Sequence, residues 1–328
     1  MTATRRALGA ALWIGPFLFS LVLVTLAVNR QEQTPQEEPQ KKETKTPERL
    51  EIQGIENAFR LSPRLYSGGE PRGAEALSAL KELGIRTVIS VDGATPDVEA
   101  ARKLGIRYVH LPIGYDGVPS EQAVKLVKAV KTLPGPVYVH CHHGKHRGPA
   151  AAAVCGLATE GWTKEQALAW MKQVGTSPDY RGLFASAQEF VPPTAEDLER
   201  AGTEFPERAK VAALVEMMVQ VDERWDRLKA VQKTGFKARP DQPDLDPPHE
   251  ALQLVEQFRE LVRLPEARAR GREFLAAAEA AEGQAAGLED ALRSFAKGPT
   301  PETRKQAESA FLAVGKTCTT CHGRYRDN

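Results

Sequence analysis

The spacing of apolar positions divides the chain into two parts. In the first, strand-like and helix-like patterns alternate. Leu65-Tyr66-Ser67-Gly68 reads as a short strand and turn. Ala74 to Leu83 places Leu77, Leu80 and Leu83 on one helical face, and Gly84 closes the helix. Thr87 to Val91 is an apolar run of buried-strand length, turned by Asp92-Gly93. A short helix over Glu99 to Leu104 ends at Gly105, a strand comes next at Tyr108 to Leu111, and Ser120 to Leu133 is an amphipathic helix. Pro136 to His140 is a strand and Ala150 to Glu160 an alanine-rich helix. Strands alternating with helices predict an α/β domain with a mainly parallel sheet over residues 50–195.

Pro192-Pro193 and the charged stretch from Ala195 to Arg208 read as a boundary, beyond which strand signals stop. Val211, Leu214, Met218, Val221, Trp225 and Leu228 recur at spacings of three and four, the mark of one buried helix face. Further helices are predicted over Glu250 to Val262, Pro265 to Phe295 with a break near Gly283, and Pro301 to Tyr325. The pattern predicts an all-α four-helix bundle over residues 206–328.

The N-terminus adds a third element. Arg5 and Arg6 precede an uncharged run from Ala7 to Asn29, long enough to span a bilayer. The flanking charge favours export of the rest of the chain. No A-x-A cleavage site stands out, so residues 1–30 read as an uncleaved signal anchor and transmembrane helix. The stretch 31–49 is almost purely Gln, Glu, Lys, Thr and Pro and reads as a disordered linker. The expected location is the inner membrane with the soluble domains in the periplasm, or the periplasm itself if the signal is cleaved. A net charge of +1 gives no global argument for nucleic acid, and none is expected as a partner.

Candidate chemistry concentrates in two places. In the first, a strand ends at His140, a loop carries Cys141, His142, His143, Gly144, Lys145 and His146, and a helix starts near Gly148. Amides converging at a helix N-terminus bind a tetrahedral anion and stabilise a thiolate. Arg147, six positions after Cys141, can clamp oxygens of the same anion. A cysteine nucleophile with an arginine clamp makes a metal-free phosphoryl-transfer site. Zinc ligation by Cys141, His142, His143 and His146 is the competing reading. It suffers because Arg147 would oppose a cation beside the thiolate. On the anion reading, the histidines and Lys145 make the rim basic and favour highly anionic substrates.

The run His140-Cys141-His142-His143-Gly144-Lys145-His146-Arg147 resembles the HCxxGxxR signature loop of protein tyrosine and dual-specificity phosphatases. Upstream, LYSGGEP, LKELGI, TVISV and YVHLPIGYDGVP are also similar to compact members of that superfamily. The resemblance implies that Cys141 forms a phosphocysteine, that residues 142–147 bind phosphate, and that His140 supports the loop from beneath. It also implies an upstream aspartate as general acid. Asp116, between Gly114 and Gly117 on a loop expected to move, is the first candidate. Asp92 is the alternative, read here as a turn residue. The chain departs from the pattern at Gly148, where a Ser or Thr usually comes after the arginine. Cys155 reads as a buried inert thiol.

The second concentration is Cys318-Thr319-Thr320-Cys321-His322, the Cys-x-x-Cys-His pattern of c-type haem attachment. Two thiols one turn apart can each bond a haem vinyl, and the next histidine can ligate the iron. At the end of a fourth helix, with Phe311, Gly315-Lys316 and Tyr325-Arg326, the motif resembles cytochrome c′ and other class II cytochromes c. The resemblance implies haem c on Cys318 and Cys321 with His322 as axial ligand. The sixth position would be vacant or filled by a first-helix methionine. Met218 is the candidate, although core packing also accounts for it.

The expectation is an exported, membrane-anchored phosphatase fused to a haem domain for electron transfer or for redox or gas sensing. The alternative is an electron-transfer or sensor cytochrome with a catalytically weak phosphatase-like binding domain. Expected partners are a phosphorylated protein or small anionic molecule, a redox partner and the membrane, with a homodimer left open.

Overall fold

The computed structural model describes residues 46–237 and 245–326. The expected anchor at 1–30, and the linker as far as residue 45, lie outside the described residues. Among the described residues no helix is long and apolar enough to cross a membrane. All of them belong to one compact unit, Glu43–Asn328.

Among the described residues six strands form one mixed sheet in the order β1-β2-β3-β6-β4-β5. These are β1 (Glu48–Ile52), β2 (Ile55–Arg60), β3 (Leu65–Gly68), β4 (Thr87–Ser90), β5 (Arg107–His110) and β6 (Val137–His140). The central strands β3, β6, β4 and β5 pair in parallel, while β1 and β2 extend the sheet antiparallel. The sequence pattern identified the parallel strands and missed the hairpin. β1 therefore begins inside the expected linker, at Glu48. Its burial is slight, so it lacks the apolar run that marks a covered strand.

Helices cover both faces. On one lie α1 (Gly73–Glu82) and α2 (Val98–Lys103), whose Leu77, Leu80 and Ala101 join Val88, Tyr108 and Tyr138 in a core. On the other lie α3 (Ser120–Thr132), α4 (Arg147–Thr159), α5 (Lys164–Gln173) and α6 (Arg181–Gln188). Their core includes Leu126, Ala151, Trp170 and Leu183, against Ile89, Val109 and Val139. Neighbouring strand positions such as Val88 and Ile89 serve opposite cores, which is why TVISV is apolar without alternation.

The stretch 195–208 is no free boundary. It contains α7 (Ala195–Arg200), which packs on α3, with Lys128 Nζ donating to Leu198 O at 2.5 Å. Phe205 enters the α/β core, and His110 N donates to Pro206 O at 2.7 Å.

The C-terminal region comprises α8 (Ala213–Lys233), α9 (Pro247–Leu261), a short α10 (Pro265–Ala269), α11 (Arg272–Lys297) and α12 (Pro301–Tyr325). Contacts run α8 with α9, α9 with α11 and α11 with α12, the order of a four-helix bundle with one extra turn. The predicted break falls elsewhere. α11 continues through Gly283, and the interruption is at Gly271, whose φ of +89° favours glycine. On α8, Leu214, Val221 and Leu228 are buried, and Met217, Met218 and Trp225 pack partly buried on the same core.

Candidate functional site

The loop from Cys141 to His146 joins β6 to α4, with Arg147 opening the helix. Its carbonyls are held from outside. Asn57 Nδ2 donates to His143 O at 2.8 Å, Thr176 Oγ1 to Lys145 O at 2.7 Å, and Glu70 N to His142 O at 3.0 Å. With these carbonyls held outward, the amides beyond His142 are left available to an anion, as a cradle requires. Gly144 has φ +66° and sits so close to the Gly68-Gly69 backbone that a side chain would collide there. Beneath, the buried His140 shares a 2.7 Å hydrogen bond between its Nε2 and the Tyr108 hydroxyl. Burial, only partly offset by Glu70 and Asp92, pulls His140 down to about 4, so it supports the loop as a neutral ring.

Arg147 is buried, and its Nη2 donates to Asp92 Oδ2 at 2.7 Å. Asp92 Oδ2 also accepts from the His142 amide at 2.7 Å, while Oδ1 accepts from Ala94 N at 3.0 Å. Burial opposes the charge on Asp92, but Arg147 and the amide bonds hold it down to about 2. The Nε of Arg147 is buried with no hydrogen-bond partner, so one donor of the guanidinium is uncommitted. The reading of Asp92 as a plain turn residue is therefore corrected: it caps its turn and also fixes the arginine. The signal lies in strand pairing. Ser90 faces His140 across the β4–β6 ladder, so Asp92, two residues on, comes beside His142.

Asp116 lies exposed on the loop between β5 and α3, with its carboxylate folded against Gly114. The structure brings Tyr115, not Asp116, into contact with Arg147, the guanidinium carbon lying 4.5 Å from the ring centre. The loop is also held rather than free. Val118 N donates to Ser186 Oγ at 2.7 Å, and Gly182 packs so tightly on the Asp116 backbone that no side chain would fit. Gly148 lies against Cys141. A Cβ there would be 3.4 Å from Cys141 Sγ and 3.0 Å from Cys141 N. Cys155 is buried on α4, and burial pushes its thiol up to about 12, which agrees with an inert role.

The two regions meet around this loop. Arg326, just beyond α12, lies 3.5 Å over the Tyr115 ring and donates from Nη1 to Tyr180 Oη at 2.9 Å. His146 packs edge-on against Tyr180, 4.7 Å between ring centres. Burial first, then Arg326 and Arg147, lowers His146 to about 4. His146 and His142 do not form one cluster with Cys141. His142 Nε2 instead lies 3.0 Å from Asp226 Oδ2 on α8. Although burial opposes its charge, hydrogen bonds to Asp226 and Glu70 lift His142 to about 10. Lys145 is exposed. Tyr115, Asn57 and Thr176 were not singled out by sequence, and Arg326 was noted only with the C-terminal motif, because each reaches the loop only through tertiary packing.

At the second motif, Cys318 and Cys321 are free and partly buried against the bundle core, one turn apart on α12. Trp225 of α8 stacks on Phe311 of α12 with ring centres 4.4 Å apart, and Gly315 leaves room for the Trp225 edge. The Tyr325 hydroxyl is buried without a partner near the same end. His322 is exposed. Two accessible thiols, an adjacent imidazole and an unsatisfied hydroxyl fit a covalently attached haem.

Residues 61–188 match the PTP-SAK family model, described as a Swiss Army Knife protein, DSP-PTPase phosphatase domain, so this segment is a phosphatase domain of that type. The dual specificity protein phosphatase TpbA of Pseudomonas aeruginosa strain UCBPP-PA14 is 31% identical over 121 residues, 36% of this chain. The chain spans about 55% of that relative's length. A crystal structure of P. aeruginosa TpbA is 26% identical with a TM-score of 0.40, covering 48% of this chain and 95% of that one. A Cys→Ser variant of TpbA in complex with pTyr is 23% identical, also with a TM-score of 0.40, covering 49% and 98%. The family match ends before the helical region.

Proposed function

We propose that this chain is an exported, membrane-anchored phosphatase that works through a phosphocysteine and carries a covalent c-type haem domain. The observation that carries the phosphatase reading is the uncommitted, buried Nε of Arg147 beside Cys141, with Asp92 holding Nη2 of the same guanidinium. An N–H fixed in a dry site with no acceptor suits an anionic oxygen. The substrate is a phosphomonoester on a protein or a small, highly anionic molecule.

In the first step the Cys141 thiolate attacks phosphorus and the bond to the leaving oxygen breaks. Arg147 and the loop amides from His143 to Arg147 take up charge on the phosphoryl oxygens, the His142 amide being held by Asp92. Asp116, as the acid, gives its proton to the leaving alkoxide, for which its carboxylate has to leave Gly114. In the second step water attacks phosphorus, Asp116 accepts a water proton, and Cys141 leaves as thiolate. Wild type and Cys141→Ser should be compared on p-nitrophenyl phosphate and on phosphotyrosyl and phosphoseryl peptides. Cys141-dependent release of phosphate is expected; equal rates from both proteins would overturn the enzyme reading.

Cys318 and Cys321 would hold haem c covalently, and His322 and Met218 are the residues that would bind its iron. When bound, the group supplies one-electron chemistry or a site for a diatomic gas. Its support is the donor set on α12 and the core-facing thiols. A pyridine haemochrome spectrum after expression with c-type maturation should show covalent haem, lost in Cys318→Ala/Cys321→Ala. A protein that releases all haem into acidified acetone would refute it.

Gly148 favours a second reading, a slow enzyme that functions by holding phosphate. The missing side chain is one whose Cβ would adjoin Cys141 Sγ. Gly148→Ser is expected to speed phosphocysteine breakdown, seen as a smaller burst and a faster steady state.

A further inference from the structure

The outer side of the catalytic loop has chemistry that phosphate binding does not use. His142 and His143 lie with ring centres 4.3 Å apart. Each directs Nε2 towards α8 and Nδ1 towards a carboxylate of the α/β region. His142 Nε2 is 3.0 Å from Asp226 Oδ2 and 3.9 Å from Asp222 Oδ2, and its Nδ1 is 3.5 Å from Glu70 Oε2. His143 Nε2 is 4.0 Å from Asp226 Oδ2, and its Nδ1 is 3.2 Å from Glu56 Oε2. One ligand atom each from His142, His143 and Asp222 lie within 4.8 Å of one another.

We propose that His142, His143 and Asp222 bind a divalent transition-metal ion of the Zn2+ class, joining the outer face of the catalytic loop to α8. Two imidazoles and a carboxylate are a ligand set such ions accept, and a carboxylate behind the far nitrogen of each ligating imidazole is the usual support. Glu70 and Glu56 occupy those supporting positions. Metal–nitrogen bonds of about 2.0–2.1 Å require tetrahedral ligands roughly 3.3 Å apart, so the group must tighten by up to about 1.5 Å. The Asp222 side chain is about half exposed and can make that movement by rotation.

Charge favours a cation at this position. Glu56, Glu70, Asp222 and Asp226 converge there, and the nearby fixed cations are Arg72 and Lys229. Arg72 already samples the position, its Nη2 lying 3.0 Å from His142 Nε2 and 3.4 Å from Asp226 Oδ2. Its side chain is half exposed and can yield to an ion. A cleft of about 240 Å³ lined by Glu56, Glu70, Arg72 and His142 opens beside the position, on the side of the supporting carboxylates. This site differs from the zinc reading of the sequence. Cys141 and His146 take no part, and Arg147 lies inside the loop, where it does not oppose the ion.

The test is Zn2+ equilibrium dialysis with zinc-edge X-ray absorption, on the full chain carrying Cys318→Ser and Cys321→Ser so that the C-terminal thiols cannot compete. One ion per chain, ligated by nitrogen and oxygen alone, is expected. Asp222→Asn and His143→Gln in that background each remove a ligand and should weaken binding by at least the about 10–100-fold that loss of a supporting carboxylate costs. No retained ion, sulfur among the ligands, or unchanged affinity in both variants would overturn the proposal. Should a variant misfold, the ligand composition of the parent chain decides the matter alone.

Discussion

The α/β region and the helical region hold their reactive groups in different ways. In the α/β region, Cys141 and Arg147 lie on one loop of consecutive residues, and the sheet brings the supporting groups to it from β2, β4 and the turn before α1. In the helical region, Cys318, Cys321 and His322 share one helix, while their surroundings come from α8 and α11. A loop site is specified by its own backbone. A bundle site is specified by what neighbouring helices place opposite it.

The largest effect that could break this contrast is at Arg147. Arg147→Lys keeps the charge but not the fork, and kcat should fall about 10²–10³-fold, measured on p-nitrophenyl phosphate. A near-wild-type rate would mean that the loop does not act as a self-contained cradle. The two aspartates sharpen it further. Asp116→Asn should lower kcat about 10²–10⁴-fold with an aryl or alkyl phosphate of poor leaving group, and leave stability unchanged. Asp92→Asn leaves a buried guanidinium unpaired and should cost about 3–5 kcal/mol in denaturant unfolding of the α/β region. If the two variants exchange these behaviours, the acid is Asp92.

In the helical region, Leu228 is fully buried on α8, and Leu228→Ala should destabilise that region by about 2–5 kcal/mol. Followed by circular dichroism and by phosphatase activity in parallel, only the helical transition should move. A common shift of both would show that the regions unfold as one.

The smallest expected effect lies where the regions meet. His146 is lowered from 6.5 to about 4 by burial, with Arg326 and Arg147 adding to the effect. Between those pH values the unfolded chain binds a proton that the folded chain does not. This contribution to stability is fully present above pH 6.5 and declines as pH falls towards 4. Arg326→Gln removes one repelling charge and should raise the His146 pKa in an NMR titration, narrowing the window. An unmoved resonance would place Arg326 away from the loop in solution.

Much of the fold was legible because its signals are local. The parallel strands and their helices announce themselves by apolar runs and closing glycines, and α12 falls on the predicted Pro301–Tyr325. The hairpin β1–β2 was not legible, because an exposed edge carries charged side chains and no apolar period. The stretch 195–208 looked like a linker by charge, yet α7 and Phe205 dock through few residues. In the site, Cys141, Arg147 and the glycine at 144 could be read from one octapeptide. Asp92 could not be separated from an ordinary Asp-Gly turn, and nothing local ties Tyr115 or Arg326 to this loop.

By itself the sequence determined the chemistry on single elements: a thiol and a guanidinium at the mouth of a helix, and two thiols and an imidazole along another. Spacing along one backbone fixes those distances whatever surrounds them. The tertiary structure decided which groups answer them. Strand order set Asp92 against Arg147, and the docking of α8 and α12 set Asp226 against His142 and Arg326 over Tyr115. Those pairs are separated by tens to hundreds of residues, and no local pattern encodes a contact made only when two elements pack.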